Sequence, residues 1–430
     1  MINKRPEVSS LSFPRKRESR KDTVSDKTTG LDSCFRRKDY NFIVFNSSEA
    51  GFTLIELLIT MVIFVLVIAA GSQIFTGLLT QFKQQSKIAE TNIEGIIGLE
   101  ILRQDIEHAG YGLPWVIPAG IVYNEASAGY NDSPSNPQRA ILSGNGVGFN
   151  GSDELIIKAT NVARNGASQA WTHLKTGNVK RDGLSGETLG GTDLIIVLSP
   201  GTSDANRRTL VVNSTDSTDW DTTYSATANF APSDNTETRI IYGVAPTTDT
   251  VTTLRMPFNR ADYYIATSNV PSRCATGTGV LSKNVISHAN GSRADNLPLL
   301  DCMANMQVAF GVDTDATPDG QINCYTNDLA NVFATVTAQN IRERVKEVRV
   351  YILSHEGQYD RDFTFDLNSR NAGLNPAIGC PTCIRVGEGL PLAVCEGGIA
   401  GRDFNLSTIT NWQNYRWKVY TLVVKPNNLR

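Results

Sequence analysis

The hydrophobic pattern changes character at about residue 110. Residues 52–79 read FTLIELLITMVIFVLVIAAGSQIFTGLL, with Glu56 as the single ionisable side chain. A helix of this length would extend about 42 Å, more than the roughly 30 Å hydrocarbon core of a bilayer. The segment is too long for the core of an ordinary cleaved signal peptide. It is therefore predicted to be a membrane-spanning helix.

The helical pattern continues beyond this apolar segment. Apolar residues recur three to five positions apart, which predicts one apolar face formed by Ile88, Ile93, Ile96, Ile97, Leu99, Leu102 and Ile106. Gly110 follows and is typical of a helix C-terminus. Residues 52–110 are thus predicted to form one helix, apolar on all sides in 52–79 and amphipathic afterwards.

From residue 111 the pattern indicates strands and turns. Short apolar runs alternate with clusters of Gly, Asn, Asp, Ser and Thr, and the predicted strands are 154–159, 193–199, 209–213, 238–244, 306–312, 345–353 and 415–425. Polar residues and glycine dominate 161–235, which favours long surface loops. The predicted fold class is α+β, with the long N-terminal helix followed by a large antiparallel β-sheet head at 111–430.

The distribution of charge predicts the orientation of the helix. Residues 1–50 hold 11 of the 40 basic and 7 of the 43 acidic residues, which leaves 29 and 36, a net charge of -7, for the remainder. Arg36, Arg37 and Lys38 precede the apolar segment, whereas only Lys83 and Lys87 closely follow it. The excess of basic residues on the N-terminal side predicts a cytoplasmic N-terminus and an extracytoplasmic head. The acidic remainder disfavours direct nucleic-acid binding.

Six cysteines lie in the last third of the chain, and this also favours an oxidising compartment. They are predicted to form structural disulfides, and 15 pairings are open: Cys274, Cys302, Cys324, Cys380, Cys383 and Cys395. The spacing of Cys380 and Cys383 also occurs in redox and zinc sites. No second such pair is present and the four histidines are scattered, so disulfides are favoured over either chemistry.

Two further patterns have simple interpretations. Asp313, Asp315 and Asp319 place three carboxylates in one loop, for which a solvated acidic turn is favoured over a calcium site. Residues 146–151 match GxGxxG but precede a strand pattern, so they are read as a glycine turn. The sequence contains no GxSxG, Walker A or HExxH motif. No enzymatic activity, catalytic residue, metal or cofactor is predicted.

The start of the apolar segment carries the most specific motif. Gly51, Phe52 and Glu56 belong to the sequence GFTLIELL, which resembles the type III signal sequence of type IV pilins and pseudopilins. The resemblance implies that prepilin peptidase cleaves after Gly51 and methylates Phe52, leaving residues 1–51 as a leader peptide. Glu56 would then pair with the α-amine of a neighbouring subunit inside a helix bundle. A plain signal anchor is the alternative.

Looser motifs resemble PilW-type minor pilins. They are the segments 102–111, 151–157, 310–315, 348–353 and the C-terminal strand. The resemblance implies a minor pilin in the inner membrane and later in the pilus at the cell surface. Its implied partners are prepilin peptidase, other minor pilins, the major pilin, the inner-membrane assembly platform, a tip adhesin and, before assembly, membrane lipid. Such a subunit helps to prime pilus assembly in a tip complex.

Other functions and another start site remain open. A pseudopilin of type II secretion, similar to GspJ, would share the sequence up to Tyr111, and a tip adhesin or DNA-uptake pilin would be a binding module. The leader of 51 residues is long for a pilin, and no Met lies between Met1 and Met61. A translation start nearer Gly51, for example at Val44, is favoured over a long natural leader.

Overall fold

The computed structural model describes residues 51–127, 129–181, 188–201, 203, 206–370, 380–388, 394–395 and 401–429. Apart from Gly51, the predicted leader lies outside the described residues. The chain divides into two compact units between Ala69 and Ala70. The first unit contains the beginning of the long helix, and the second contains the rest of that helix and the head. The predicted fold class is confirmed: one long apolar helix precedes a large domain of antiparallel sheets.

Helix α1 spans Leu54–Glu107 and is long and apolar enough to cross a membrane. It begins after Thr53, whose side chain caps the first turn. It ends shortly before Gly110, which has a positive φ of 85° and whose N–H donates to the Lys158 carbonyl. That left-handed backbone cannot continue a right-handed helix, and glycine adopts it without steric cost. Helix α1 therefore begins two residues after the start of the predicted helix, 52–110, and ends three residues before its end.

Sixteen strands follow in the part of the chain that the structure describes. They are β1 (Ile141–Gly144), β2 (Glu154–Ala159), β3 (Trp171–Lys175), β4 (Val179–Arg181), β5 (Leu194–Ser199), β6 (Thr209–Leu210), β7 (Asp221–Thr223), β8 (Arg239–Ala245), β9 (Asn259–Ala266), β10 (Gly279–Ile286), β11 (Arg293–Val312), β12 (Cys324–Thr326), β13 (Val345–Glu356), β14 (Cys383–Gly387), β15 (Gly401–Asn405) and β16 (Arg416–Val424). Two short helices, α2 (Ala338–Arg344) and α3 (Leu367–Arg370), lie between strands.

The largest sheet has the order β1-β2-β9-β10-β11-β13-β16, with β12 added to β11. All its pairings are antiparallel. One face packs against the C-terminal part of α1 through residues such as Met306, Val350 and Leu422. The opposite face carries Tyr351 and Trp417 and is covered by the two-stranded sheet β14-β15. Burial on both faces makes this sheet the centre of the head.

A second sheet has the order β4-β3-β8-β5-β6, with β7 paired to β5. Strands β5, β6 and β8 correspond to the predicted strands 193–199, 209–213 and 238–244. Strands β3, β4 and β7 lie where the sequence indicated long surface loops, and all three are short. In β3, for example, Thr172 and Leu174 are buried whereas Trp171 and Lys175 are exposed. Three to five residues of this kind give too little periodicity for a prediction.

The apolar face predicted for the second half of α1 is buried only in part: Leu99, Leu102 and Ile106 are buried, but three of the predicted isoleucines are not. Ile93, Ile96 and Ile97 are 60–65% exposed. The face that meets the sheet instead consists of Gly95, Gly98, Leu99, Leu102, Asp105, Ile106 and Ala109. Small residues let the helix approach the sheet, so this face contains two glycines and a carboxylate rather than a stripe of isoleucines.

Candidate functional site

The predicted cleavage junction lies immediately before the first turn of α1. Gly51 and Phe52 are both exposed, with Phe52 at 81%, and a Cβ built on Gly51 would have no atom within 4 Å. Thr53 provides the cap. Its Oγ1 accepts from the Glu56 N–H at 3.3 Å, and its carbonyl accepts from the Leu57 N–H at 3.2 Å. The bond between Gly51 and Phe52 therefore lies in an open, extended segment next to a fixed helix start.

Glu56 completes a reciprocal capping box with Thr53. Its Oε2 accepts from the Thr53 N–H at 2.9 Å and from the Thr53 hydroxyl at 2.8 Å. Thr-x-x-Glu is a sequence signature of this arrangement, and it also places negative charge at the positive end of the helix dipole. The apolar sequence around Glu56 predicted that its carboxylate needs a partner from another subunit. In the isolated subunit Thr53 already satisfies part of its hydrogen-bonding capacity.

The apolar half of α1 has no covering within the described chain. Every residue from 51 to 83 is exposed, including the large side chains of Leu58, Phe64 and Leu66. A soluble monomer rarely exposes an apolar surface of this extent. A helix satisfies its own backbone hydrogen bonds and can therefore reside in lipid or in a bundle of similar helices.

Asp105 joins the other half of α1 to the head. Its carboxylate is buried and accepts from the Tyr263 hydroxyl, from the Lys283 ammonium and, at 2.7 Å, from Arg164. Burial lowers the pKa of Lys283, an effect that Asp105 opposes, and burial raises the pKa of Tyr263. Lys283 also donates to the Val162 carbonyl at 2.7 Å. One helix residue thus contacts β9, β10 and the segment after β2.

Two glycines set the distance between α1 and β11. A Cβ on Gly98 would lie 1.9 Å from the Leu299 carbonyl oxygen, and one on Gly95 would lie 2.9 Å from the Leu300 side chain. On the adjoining surface, Arg273 donates to Glu94 of the helix at 2.9 Å and to Asp301 of β11 at 2.6 Å. The helix and the strand are therefore joined by close backbone approach and by a bridging guanidinium group.

The six cysteines beyond the helix form three disulfides. Cys274 pairs with Cys302, Cys324 with Cys395, and Cys380 with Cys383. The first pair joins the segment before β10 to β11, and the second joins β12 to the segment before β15. The third closes the CxxC sequence itself. All six sulfurs are thereby used in disulfide bonds, and Cys34 lies outside the described residues.

The acidic loop brings its carboxylates together. Oxygen atoms of Asp313, Asp315 and Asp319 lie within 4.8 Å of one another. Asp313 is buried and accepts from the Gly320 N–H at 2.7 Å, whereas the other two are exposed. These backbone bonds are those of a tight acidic turn. Residues 146–151 likewise form a turn, which contains a short 3-10 helix at Phe149–Gly151.

Several buried titratable groups lie outside these clusters. Burial raises the pKa of both Asp153 and Asp221 to about 6. Burial also lowers the pKa of His288 to about 4 and that of His355 to about 3, so both imidazoles are neutral at neutral pH. Asp153 accepts from the Val308 and Gly146 N–H groups, at 2.7 and 2.8 Å. Asp153 therefore joins the turn at Gly146 to β11.

The comparison with known families identifies the N-terminal segment. A family model described as the prokaryotic N-terminal methylation motif matches residues 46–72. The match includes the junction at Gly51, the capping box and the first part of the apolar helix. No curated protein and no solved structure matches the chain. The motif supports a type IV pilin-type or pseudopilin subunit, which is a structural protein that prepilin peptidase processes.

Proposed function

We propose that this protein is a minor pilin of PilW type that helps to prime pilus assembly in a tip complex. The observation that carries the proposal is the continuous exposure of apolar side chains over residues 51–83, which begins within the methylation motif and extends beyond it. Lipid covers this surface before assembly, and helices of other subunits cover it afterwards. The head, with its two large sheets, is the part that remains accessible.

Maturation removes residues 1–51 and changes the charge at the helix start. Hydrolysis of the bond between Gly51 and Phe52 releases the leader carboxylate and a new α-amine, which prepilin peptidase methylates. An α-amine has an ordinary pKa of about 7.7–8.0 and is mostly cationic at neutral pH. We infer that it pairs with Glu56 of a neighbouring subunit, because two opposite charges in an apolar bundle cost less together than apart. The Thr53 cap holds Glu56 in place until then.

The three disulfides favour an oxidising compartment for the head, so the head faces the periplasm and the start of α1 faces the cytoplasm. A leader that begins before Arg36, Arg37 and Lys38 would favour the same orientation through its basic residues. From there the subunit joins other minor pilins, the major pilin and a tip adhesin through the assembly platform. The net charge of -7 beyond residue 50 favours these protein partners over direct binding of nucleic acid.

A pseudopilin of type II secretion, similar to GspJ, is the second candidate. The methylation motif favours it equally, because both classes of subunit carry this motif. The two candidates differ in which filament incorporates the processed protein. A tip adhesin or DNA-uptake pilin would be a specialised form of the first candidate.

The test is to isolate the filament fraction and follow the mature N-terminus. Mass spectrometry should find an N-methylated Phe52 in sheared pili, and deletion of the gene should abolish surface pili while type II secretion continues. Gly51→Val should leave the precursor in the membrane, because a β-branched residue obstructs the peptidase. Gly71→Ala, within the same helix, is the matched control and should be processed normally. Loss of type II secretion with normal piliation would favour the pseudopilin instead.

A further inference from the structure

A cleft in the head lies far along the chain from the assembly motif. It has a volume of about 700 Å³, within the range of small-molecule sites. Three segments line it: 115–116 after α1, 131–139 before β1, and 335–343, which includes α2. The Trp115 N–H donates to the Arg208 carbonyl at 3.0 Å, so the segment after α1 is anchored beside β6.

Arginine side chains concentrate around the Trp115 ring at this cleft. The guanidinium carbons of Arg342, Arg208 and Arg207 lie 4.1, 5.1 and 5.7 Å from the ring centroid. Arg342 and Arg139 line the cleft, whereas Arg207 and Arg208 lie at the Trp115 ring without lining it. This local gathering of arginines contrasts with the net charge of -7 of the chain beyond residue 50. Stacked, planar guanidinium groups suit bidentate recognition of carboxylates.

Carboxylates moderate this positive charge. Asp132 is buried and accepts from Arg139 at 2.5 Å, and Glu343 lies 3.6 Å from Arg342. Both acidic side chains line the cleft. A polyphosphate chain would bring several negative charges against them and against the acidic surroundings. A ligand whose negative charges are separated by uncharged groups fits this combination of arginines and carboxylates better.

Neutral polar groups form the rest of the lining. Asn131, Asn136 and Gln339 contribute amides, and Thr335 and Thr337 contribute hydroxyls. Amides and hydroxyls both donate and accept, as the hydroxyl groups of a sugar do. We propose that the cleft binds a carboxylated saccharide, with its carboxylate at the arginines beside Trp115 and its hydroxyls at the amide and hydroxyl groups. This binding is independent of the assembly function proposed above.

Calorimetric titration of the full-length protein in detergent micelles tests the proposal. The probes are trigalacturonate, trimannuronate, fully methyl-esterified trigalacturonate and a hexathymidylate. We expect the wild-type protein to bind at least one uronate, and the methyl ester to bind at least tenfold more weakly than trigalacturonate. No binding of either uronate, equal binding of the ester, or tighter binding of hexathymidylate would each overturn the proposal.

Three variants locate the site. Arg342→Gln should weaken uronate binding at least tenfold. Arg293→Gln is the matched control, because Arg293 stacks on Tyr264 at 4.3 Å outside the cleft, and it should bind within twofold of wild type. Glu343→Gln removes a repelling charge and should strengthen binding at least twofold, a gain that misfolding cannot produce. Equal loss in the two arginine variants, or no gain in Glu343→Gln, would place the ligand elsewhere.

Discussion

Two carboxylates on α1 show how the surroundings decide the role of a residue. Glu56 lies in the exposed apolar half and accepts from Thr53 one turn away. Asp105 lies in the buried half and accepts from Tyr263, Lys283 and Arg164 of the head. The first group has hydrogen-bonding partners within its own helix turn, and the second joins helix to sheet. Substitutions at the two positions should therefore affect different properties.

At Glu56, charge and capping can be tested separately. Glu56→Gln retains the capping box, because glutamine also serves at this position, but it removes the charge. Glu56→Ala removes both. If the α-amine of a neighbour pairs with Glu56, both variants should insert and be processed yet fail to co-purify with other minor pilins, since an uncompensated buried charge costs roughly 3–5 kcal/mol. Recovery of Glu56→Gln at wild-type levels would show that capping alone suffices.

At Asp105, the expected loss is in the stability of the head. Asp105→Asn leaves the buried Lys283 ammonium without its counter-charge, which should lower the free energy of unfolding by about 3–5 kcal/mol. Glu100→Gln is the matched control on the same helix. Glu100 makes a surface pair with Arg103, and because solvent screens such a pair, its loss should change stability far less. Urea unfolding of the full-length protein in detergent, followed by near-ultraviolet circular dichroism, measures both. Similar losses would contradict a specific role for Asp105.

Asp221 should make stability depend on pH. Burial raises its pKa to about 6 in the folded state, against an ordinary value of 3.8, so the folded state holds its proton longer than the unfolded state. The contribution of Asp221 to the free energy of unfolding is most favourable below pH 3.8. This contribution is lost as pH rises through 6, and the loss is at most about 3 kcal/mol. Asp221→Asn retains an acceptor for the Leu254 N–H. The stability of wild type relative to this variant should therefore fall between pH 4 and pH 7, as measured by urea unfolding. A constant difference would contradict the shift.

At the scale of elements, the contact between α1 and β11 depends on backbone proximity. Strand β11 also pairs with β10, β12 and β13, so it connects the helix to most of the large sheet. The sequence predicted only 306–312 of its twenty residues. The preceding part contains Pro298 and Cys302, which has a positive φ of 57°, and irregular register interrupts the alternation. Pairing on both sides keeps this irregular segment extended.

The glycines of α1 allow this contact to be tested. Gly98→Ala would place a methyl group against the Leu299 carbonyl and should cost about 1–3 kcal/mol through overpacking. Gly77→Ala is the matched control, because a Cβ there has no atom within 4 Å, and it should gain helix propensity. Hydrogen exchange at residues 98–107 should increase in the first variant alone. Unchanged exchange would show that the helix shifts to accept the methyl group.

For the whole molecule, the disulfides tie distant parts of the head. Cys324 and Cys395 are 71 residues apart in sequence, Cys274 and Cys302 are 28 apart, and Cys380 and Cys383 are 3 apart. The loop-entropy relation ranks their contributions in that order, at about 4.4, 3.6 and 1.6 kcal/mol. Paired Cys→Ser variants, compared by thermal unfolding, should lose stability in the same order. A larger loss for the third pair than for the first would contradict the ranking.

Features that depend on local pattern could be predicted from the sequence. They are the apolar run, the Gly51–Phe52 junction, Glu56 and the apolar runs of strands such as β2 and β13, because each depends on residues near in sequence. The Thr53 cap also depends on residues near in sequence, through the Thr-x-x-Glu pattern, but it was not predicted. The α+β class followed from the change in periodicity near residue 110.

Features that depend on distant residues became visible in the folded chain. The three disulfides were one choice among 15, since spacing contains no information about which cysteines meet. Ile93, Ile96 and Ile97 are exposed, although their periodicity predicted burial, because the helix approaches β11 through Gly95 and Gly98. The short strands β3, β4 and β7 pair through backbone hydrogen bonds, which every residue except proline can make in full. Side-chain pattern therefore left them unassigned until their partners were in place.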